Sequence, residues 1–203
     1  KQDIAVRRNL FMPVNRSVLD VAQKRKDWNG LISGFKASDL VFLDESGCNT
    51  DMTRRYAYSL GGSRAVDSAP LSKPKNTTIL SSIQLDGTLR YTTFSGGTTV
   101  ERFKRYLETD LLPHLNGNSV LIMDNMKSHH AKAVKNLLDS SEIRYIYLPP
   151  YSPDLNPIEK LWSKVKAFLR KFKARTLDAL PNAIQNAFHA VTVSDCSGWF
   201  RFC

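Results

Sequence analysis

Between Leu148 and Pro157 the chain reads LPPYSPDLNP, and the prolines at 149, 150, 153 and 157 limit its conformations more than any other stretch does. Each ring locks φ, removes an N–H donor and restricts the residue before it, which makes this segment a stiff loop rather than a helix or a central strand. The continuation, IEKLWSKVKAFLRKFKAR, has helical periodicity. Asn156 suits an N-cap and Pro157 a first helical position. Glu159 then falls in the first turn, where the positive end of the helix dipole should keep a carboxylate ionised. Lys160, Lys164, Lys166, Arg170, Lys171, Lys173 and Arg175 follow with no acid between them. A fixed carboxylate beside a cationic surface suggests metal and phosphate chemistry, provided that the rest of the chain supplies partners for it.

Two such partners end apolar runs. DLVFLD, residues 39–44, reads as a buried strand with Asp44 and Glu45 at its C-terminal edge, and SVLIMD, residues 119–124, as a second one ending in Asp124. A third apolar run covers 143–148. Residues 77–85 and 89–94 form two strands joined by Asp86-Gly87, the dipeptide best suited to a tight hairpin, and should lie antiparallel beside the 39–44 strand. Helices are expected at 17–31 (capped by Ser17, with Val18, Val21, Ala22, Trp28 and Leu31 apolar), 98–112 (ended by Pro113), 131–138, 156–173 and 177–190. Helices alternating with strands after an antiparallel start make an α/β chain: a mixed sheet, antiparallel in its first strands and parallel afterwards, flanked by helices.

The chain has 203 residues, 42% hydrophobic and 24% charged, ordinary values for one soluble globular core. Residues 1–38 read as a basic lead-in with one helix, and 39–203 as the main domain, with a loop insertion at about 46–75 rich in Gly, Ser, Arg and Tyr. Lys plus Arg number 29 against 19 Asp plus Glu, a formal charge of +10, which favours a polyanionic partner such as nucleic acid over a membrane surface. No apolar run approaches the roughly 20 residues of a bilayer span, and no signal peptide is evident. Cys48, Cys196 and Cys203 lack metal-type spacing and argue for reduced thiols in the cytoplasm. The chain starts at Lys1 without an initiator Met, as a fragment of a longer protein would.

Asp44, Asp124 and Glu159 can therefore converge at one end of one sheet. Clustered carboxylates repel, and protonation or a hard divalent cation relieves that repulsion. Beside a basic surface the cation is favoured. Two Mg²⁺ ions so held could activate a water or a 3′-hydroxyl and stabilise the leaving oxygen of an in-line displacement at a phosphodiester, with no protein nucleophile.

These residues resemble the D-D-E transposases of the mariner-like superfamily, and most closely its bacterial insertion sequence 630 group. The resemblance covers roughly Asp39 to the C-terminus. It rests on VFLDE at 41–45, MDNMKSHH at 123–130 and, above all, LPPYSPDLNPIEKLW at 148–162, and the interval between Asp124 and Glu159 matches the family's spacing of second and third acids. It implies an RNase H-like fold, Asp44, Asp124 and Glu159 as ligands of two Mg²⁺ or Mn²⁺ ions, and cut-and-paste cleavage and strand transfer of double-stranded DNA with insertion at TA dinucleotides. It also implies transposon ends and target DNA as partners, a homodimer in the DNA complex, and a nucleoid-associated protein of the bacterial cytoplasm. The helix-turn-helix region with which full-length members read transposon ends is not expected before Asp39. Two rivals share the fold and the acids: another RNase H-like nuclease, and a domesticated DNA-binding remnant without activity.

Several residues carry open alternatives. Glu159 is a metal ligand or half of a capping box with Asn156. Asp44 is preferred over its neighbour Glu45, because consecutive strand residues face opposite ways, which leaves Glu45 a supporting acid. Asn125 and His129 stand close after Asp124, and His129 either reaches the metal site or a phosphate or packs locally. Asp154 is expected to hydrogen-bond within its own turn. On the basic helix Leu161, Val165, Phe168 and Phe172 form an apolar stripe opposite Glu159, Ser163, Lys166 and Arg170. The basic side, with Lys160, Lys164 and Lys173, is a phosphate track or a solvated face. Arg54, Arg55 and Arg64 of the insertion contact DNA or a partner subunit, or the loop is a surface feature.

Overall fold

The structure, a computed structural model, describes residues 18–54, 56, 58–68 and 74–201. Ser17, Arg55 and Cys203 lie outside these residues, and so does the basic segment before Ser17. Eleven elements carry the fold: α1 (Val18–Ile32), β1 (Leu40–Cys48), β2 (Thr77–Gln84), β3 (Leu89–Ser95), α2 (Val100–Tyr106), β4 (Val120–Met123), α3 (Lys132–Ser140), β5 (Arg144–Tyr147), α4 (Ile158–Phe172), α5 (Leu180–His189) and α6 (Val193–Phe200).

The five strands form one sheet in the order β3-β2-β1-β4-β5. β1, β2 and β3 pair antiparallel, and β1, β4 and β5 pair parallel. This is the mixed sheet that the pattern predicts. Gly87, at φ 89°, makes the β2–β3 turn, and the Asp86 carboxylate accepts from Thr88 N at 2.8 Å. An l-residue with a Cβ pays for such a φ, and glycine does not.

Strand alternation sorts the core into two layers. Leu40 and Phe42 of β1, with Val120 and Ile122 of β4, face one cluster together with Leu161, Trp162 and Val165 of α4, residues of α5 and α6, and Trp28 of α1. Val41, Leu43, Leu121 and Met123 face the other, against Phe103 and Tyr106 of α2 and Val134 and Leu138 of α3.

Some boundaries differ from the sequence reading. β1 does not stop at its acids but runs to Cys48, because its antiparallel partner continues: Asp44 pairs with Ser81 and Glu45 with Leu80, whereas the parallel partner β4 ends at Met123 opposite Leu43. The acids therefore stand inside β1, where one neighbour has stopped. The helix expected at 98–112 is α-helical only to Tyr106, widens into a π turn over Leu107–Leu111 and closes with a 3-10 turn at Leu112–His114. Leu31 is exposed, so α1 is held by Val21 and Trp28 instead. α6 was not expected. Thr192 and Asp195 start it with a capping box, and the Phe200 ring meets Phe42 of β1 edge-on at 5.4 Å. Cys48 and Cys196 are buried, free thiols. Among the described residues no helix is long and apolar enough to cross a membrane.

Candidate active site

Asp44 is half-buried, just beyond the last β1–β4 pairing. Its alternation puts it on the α4 side, where Trp162 Nε1 donates to Oδ2 at 3.0 Å, while the Glu45 amide donates to Oδ1 at 2.8 Å. Burial raises its carboxyl to about 7; the hydrogen bonds oppose this, and the negative charges of Asp124 and Glu45 add to it. Asp124 follows directly on β4. Burial would raise it too, but His129 Nδ1 at 2.9 Å and the Met126 amide at 3.0 Å favour its charged form, and it titrates below the usual carboxylate range.

Glu159 comes from the first turn of α4. Asn156 is extended at φ −112°, ψ 105°, and its Oδ1 accepts from Ile158 N at 3.4 Å; Pro157 occupies the cap position with helical angles, φ −61° and ψ −25°. The proline loop thus sets where the helix begins. Glu159 itself is exposed, and its carboxyl is raised by loss of water contact and by the Asp124 charge, although Lys166 pulls it down. This reverses the direction expected from the helix dipole alone, because loss of water contact, with a smaller push from Asp124, outweighs the pull of Lys166.

The three carboxylates line one cavity of about 790 Å³, with Lys24, Asn125, Met126 and the loop from Leu148 to Asn156 as the rest of its wall. Asn125 supports that wall by donating from Nδ2 to Leu148 O. The donor set is all hard oxygen, and Asp44 and Glu159 both feel the charge of Asp124. Such a set fits a divalent cation, which would offset the mutual repulsion.

Glu45 points the other way. With Asp124 and His129 it forms a group whose ligand-type atoms all lie within 4.8 Å of one another. His129 is fully buried, stacks on Phe103 at 4.2 Å between centroids, and has Nε2 3.1 Å from Glu45 Oε1 and Nδ1 2.9 Å from Asp124 Oδ1. Burial lowers its pKa, but the two carboxylates outweigh that and hold it at about 10. An imidazolium donating from both nitrogens has no lone pair left for a metal. This group is an ion-paired brace behind Asp124.

The basic residues divide. Lys160 and Ser163 are exposed and Lys166 and Arg170 half-buried, whereas Lys164 is paired with Asp195 of α6 and Lys173 with Asp67 of the insertion at 2.6 Å. Arg54 and Arg64 are exposed. The apolar side of α4 is Ile158, Leu161, Trp162, Val165 and Leu169; Phe172, expected there, is exposed and stacks on Phe168. Asp154 does not serve its own turn alone: Arg25 of α1 holds it. Sequence reasoning passed over Trp162, Lys24 and Arg25. A tryptophan three residues after Glu159 on the helix that carries it was the one available signal, since its N–H needs a partner when buried.

A mixed sheet whose two central strands and following helix bring carboxylates to one cavity defines an RNase H-like domain. The chain belongs to the DDE superfamily endonuclease family, whose pattern matches residues 39–181. It is 29% identical over 97 residues to the Tc1 transposase of Caenorhabditis elegans, a stretch of 46% of this chain and 36% of that protein. Its fold is similar to that of the Mos1 mariner paired-end complex with Mn (TM-score 0.79, 19% identity, 98% of this chain and 63% of that one). The Mos1 catalytic domain alone is also similar (TM-score 0.70, 17% identity, 94% of this chain and 91% of that one). The chain thus spans less than two thirds of the longer transposases it matches.

Proposed function

We propose that this chain is the catalytic domain of a DNA transposase, in which Asp44, Asp124 and Glu159 hold two Mg²⁺ or Mn²⁺ ions and cut and join double-stranded DNA. The observation that carries the reading is that three acids from three distant segments line one cavity in a member of the DDE endonuclease family. Mos1 complexes are described with Mn and with Mg, and with a left transposon end, which supports the same cations and DNA partner here.

Divalent cations bound by these acids would lower the pKa of an attacking water or 3′-hydroxyl and neutralise charge on the leaving oxygen. Asp124 arrives ionised, because His129 and the Met126 amide already favour its charge. A cation held there would favour the ionised form of Asp44, whose Oδ2 Trp162 Nε1 holds in place by its hydrogen bond. In cleavage the oxygen of water bonds to phosphorus and the P–O3′ bond breaks, leaving a 3′-hydroxyl and a 5′-phosphate. In joining, that 3′-hydroxyl attacks a target phosphodiester and expels a target 3′-hydroxyl. Lys160, Ser163, Lys166 and Arg170 of α4 continue from Glu159 as a phosphate track, to which Lys164 and Lys173 contribute less because Asp195 and Asp67 occupy them. Arg54, Arg55 and Arg64 extend DNA or subunit contact in a homodimer.

Labelled duplex DNA and a pre-cut 3′-hydroxyl substrate, each with Mg²⁺, test this. Asp124→Asn should lower cleavage roughly 10⁴-fold and leave DNA affinity almost unchanged. Cleavage by that variant at the parental rate would sink the site assignment, and cleavage with no joined product would favour a plain nuclease.

A further inference from the structure

Arg25 is placed where a helix stripe would normally carry an apolar residue. Positions 21, 25 and 28 share one face of α1, and Val21 and Trp28 on that face are buried, so Arg25 faces the domain. Its Nη1 donates to Ser152 Oγ and to Asp154 Oδ1, both at 2.9 Å, and its Nη2 donates to Asp154 Oδ2. A planar guanidinium grips a carboxylate by such paired bonds with more geometric precision than an ammonium offers.

The loop so gripped runs by consecutive hydrogen bonds to the third acid. Leu155 N donates to Ser152 O at 3.1 Å, Asn156 N to Pro153 O at 3.2 Å, and Glu159 N to Asn156 O at 3.2 Å. Just before it, Tyr151 has φ 58°, a left-handed conformation that a residue with a Cβ keeps only where its surroundings hold it. Lys24, next to Arg25, lines the cavity with Asp44, Asp124 and Glu159.

We propose that Arg25 is a positioning residue for Glu159: the Arg25–Asp154 fork pins the proline loop, and the loop sets where α4 starts and hence where its carboxylate stands relative to Asp44 and Asp124. α1 is on this view part of the catalytic apparatus. The inference rests on the reading of Glu159 as a metal ligand, and its test separates the two.

Arg25→Ala, Arg25→Lys, Asp154→Ala, the double Arg25→Ala/Asp154→Ala variant, Glu159→Gln and the exposed control Lys26→Ala are compared for Mn²⁺ affinity by electron paramagnetic resonance. Amide exchange at Leu155, Asn156 and Glu159 is followed in the same set. Arg25→Ala and Asp154→Ala should each weaken Mn²⁺ binding about tenfold, as loss of a partner behind a ligand does. The double variant should be no worse than either single one, because both break one link. Arg25→Lys should recover only part, Lys26→Ala should match the parent, and the three amides should exchange faster in Arg25→Ala. If Arg25→Ala does not fold, Asp154→Asn carries the same expectations. Parental Mn²⁺ affinity, additive losses or unchanged exchange overturns the proposal. If Glu159→Gln binds Mn²⁺ as the parent does, the ligand reading of Glu159 has failed, and amide exchange alone then decides the latch.

Discussion

Asp44 and Glu45 are neighbours on β1, yet the two faces of the sheet treat them differently. Asp44 faces α4, with an indole N–H and a backbone amide as its donors, and no cation from the protein pairs with it among the described residues. Glu45 faces α2 and α3, where a buried imidazolium neutralises it and Asp124 together. One face leaves its acid without a cationic partner and open to a cavity, and the other cancels its acid's charge inside the core. The difference teaches that one residue of register separates an acid placed to take a metal from one placed to hold a histidine.

The largest expected effect that would break this comparison is on activity. Asp44→Asn should lower Mg²⁺-dependent cleavage by roughly 10⁴-fold, the scale of losing a central catalytic group. The metal-free fold should be no less stable at pH 8, because the variant removes a charge that burial disfavours. A large loss of Tm would mean that Asp44 is structural. His129→Ala should do the reverse of this on the other face. Removing the ring leaves Glu45 buried without its cation, at a cost of about 3–5 kcal/mol in denaturant unfolding. An unchanged midpoint would remove the brace from the argument.

pH sharpens the contrast further. Asp44 holds its proton more tightly folded than unfolded, so its contribution to metal-free stability is complete below its ordinary value near 4 and is lost as pH rises to about 7. His129 also binds its proton more tightly when folded, so its contribution is complete below its ordinary value near 6.5 and is lost as pH rises to about 10. Thermal unfolding from pH 4 to 7 should therefore show a decline that Asp44→Asn lessens, with the raised carboxyl of Glu159 supplying the rest and His129 adding nothing below about 6.5. Mg²⁺ affinity should rise over the same interval, since cation and proton compete for Asp44. The smallest effect belongs to the helix surface: Lys166→Ala should weaken DNA binding evenly across sequences and lower the salt slope by about 1. Lys164→Ala, whose ammonium is paired with Asp195, should change the slope less. Equal slopes would remove the distinction drawn along α4.

Much of the fold was legible because local patterns report it. Asp86-Gly87 announced the hairpin, the run VLIM at 120–123 a fully buried central strand, and Pro157 the start of α4. The acids after two apolar runs were legible for the same reason, since a hydrophobic run that gives way to carboxylates marks where the core is left behind, although β1 itself continues to Cys48 with β2. The capping box of α6 was also visible in Thr192 and Asp195, but the short, weakly apolar stretch after it gave little helical period to support it. The break of the 98–112 helix into π and 3-10 turns was not legible, because Leu107 and Leu111 keep helical spacing through it.

The candidate site divides the same way. That Asp44, Asp124 and Glu159 are the acids to examine followed from the chain itself, since strand ends, a proline loop and a helix start are properties of a few consecutive residues. Trp162 bonding Asp44, Arg25 holding Asp154, and Lys164 and Lys173 being occupied by Asp195 and Asp67 were decided only by the tertiary structure. Those pairs join segments far apart in sequence, and no local period records which side chains a folded sheet will bring within 3 Å of each other. The order of elements and the placing of the acids are thus written in the chain, and the partners that tune them arise from packing across the sheet.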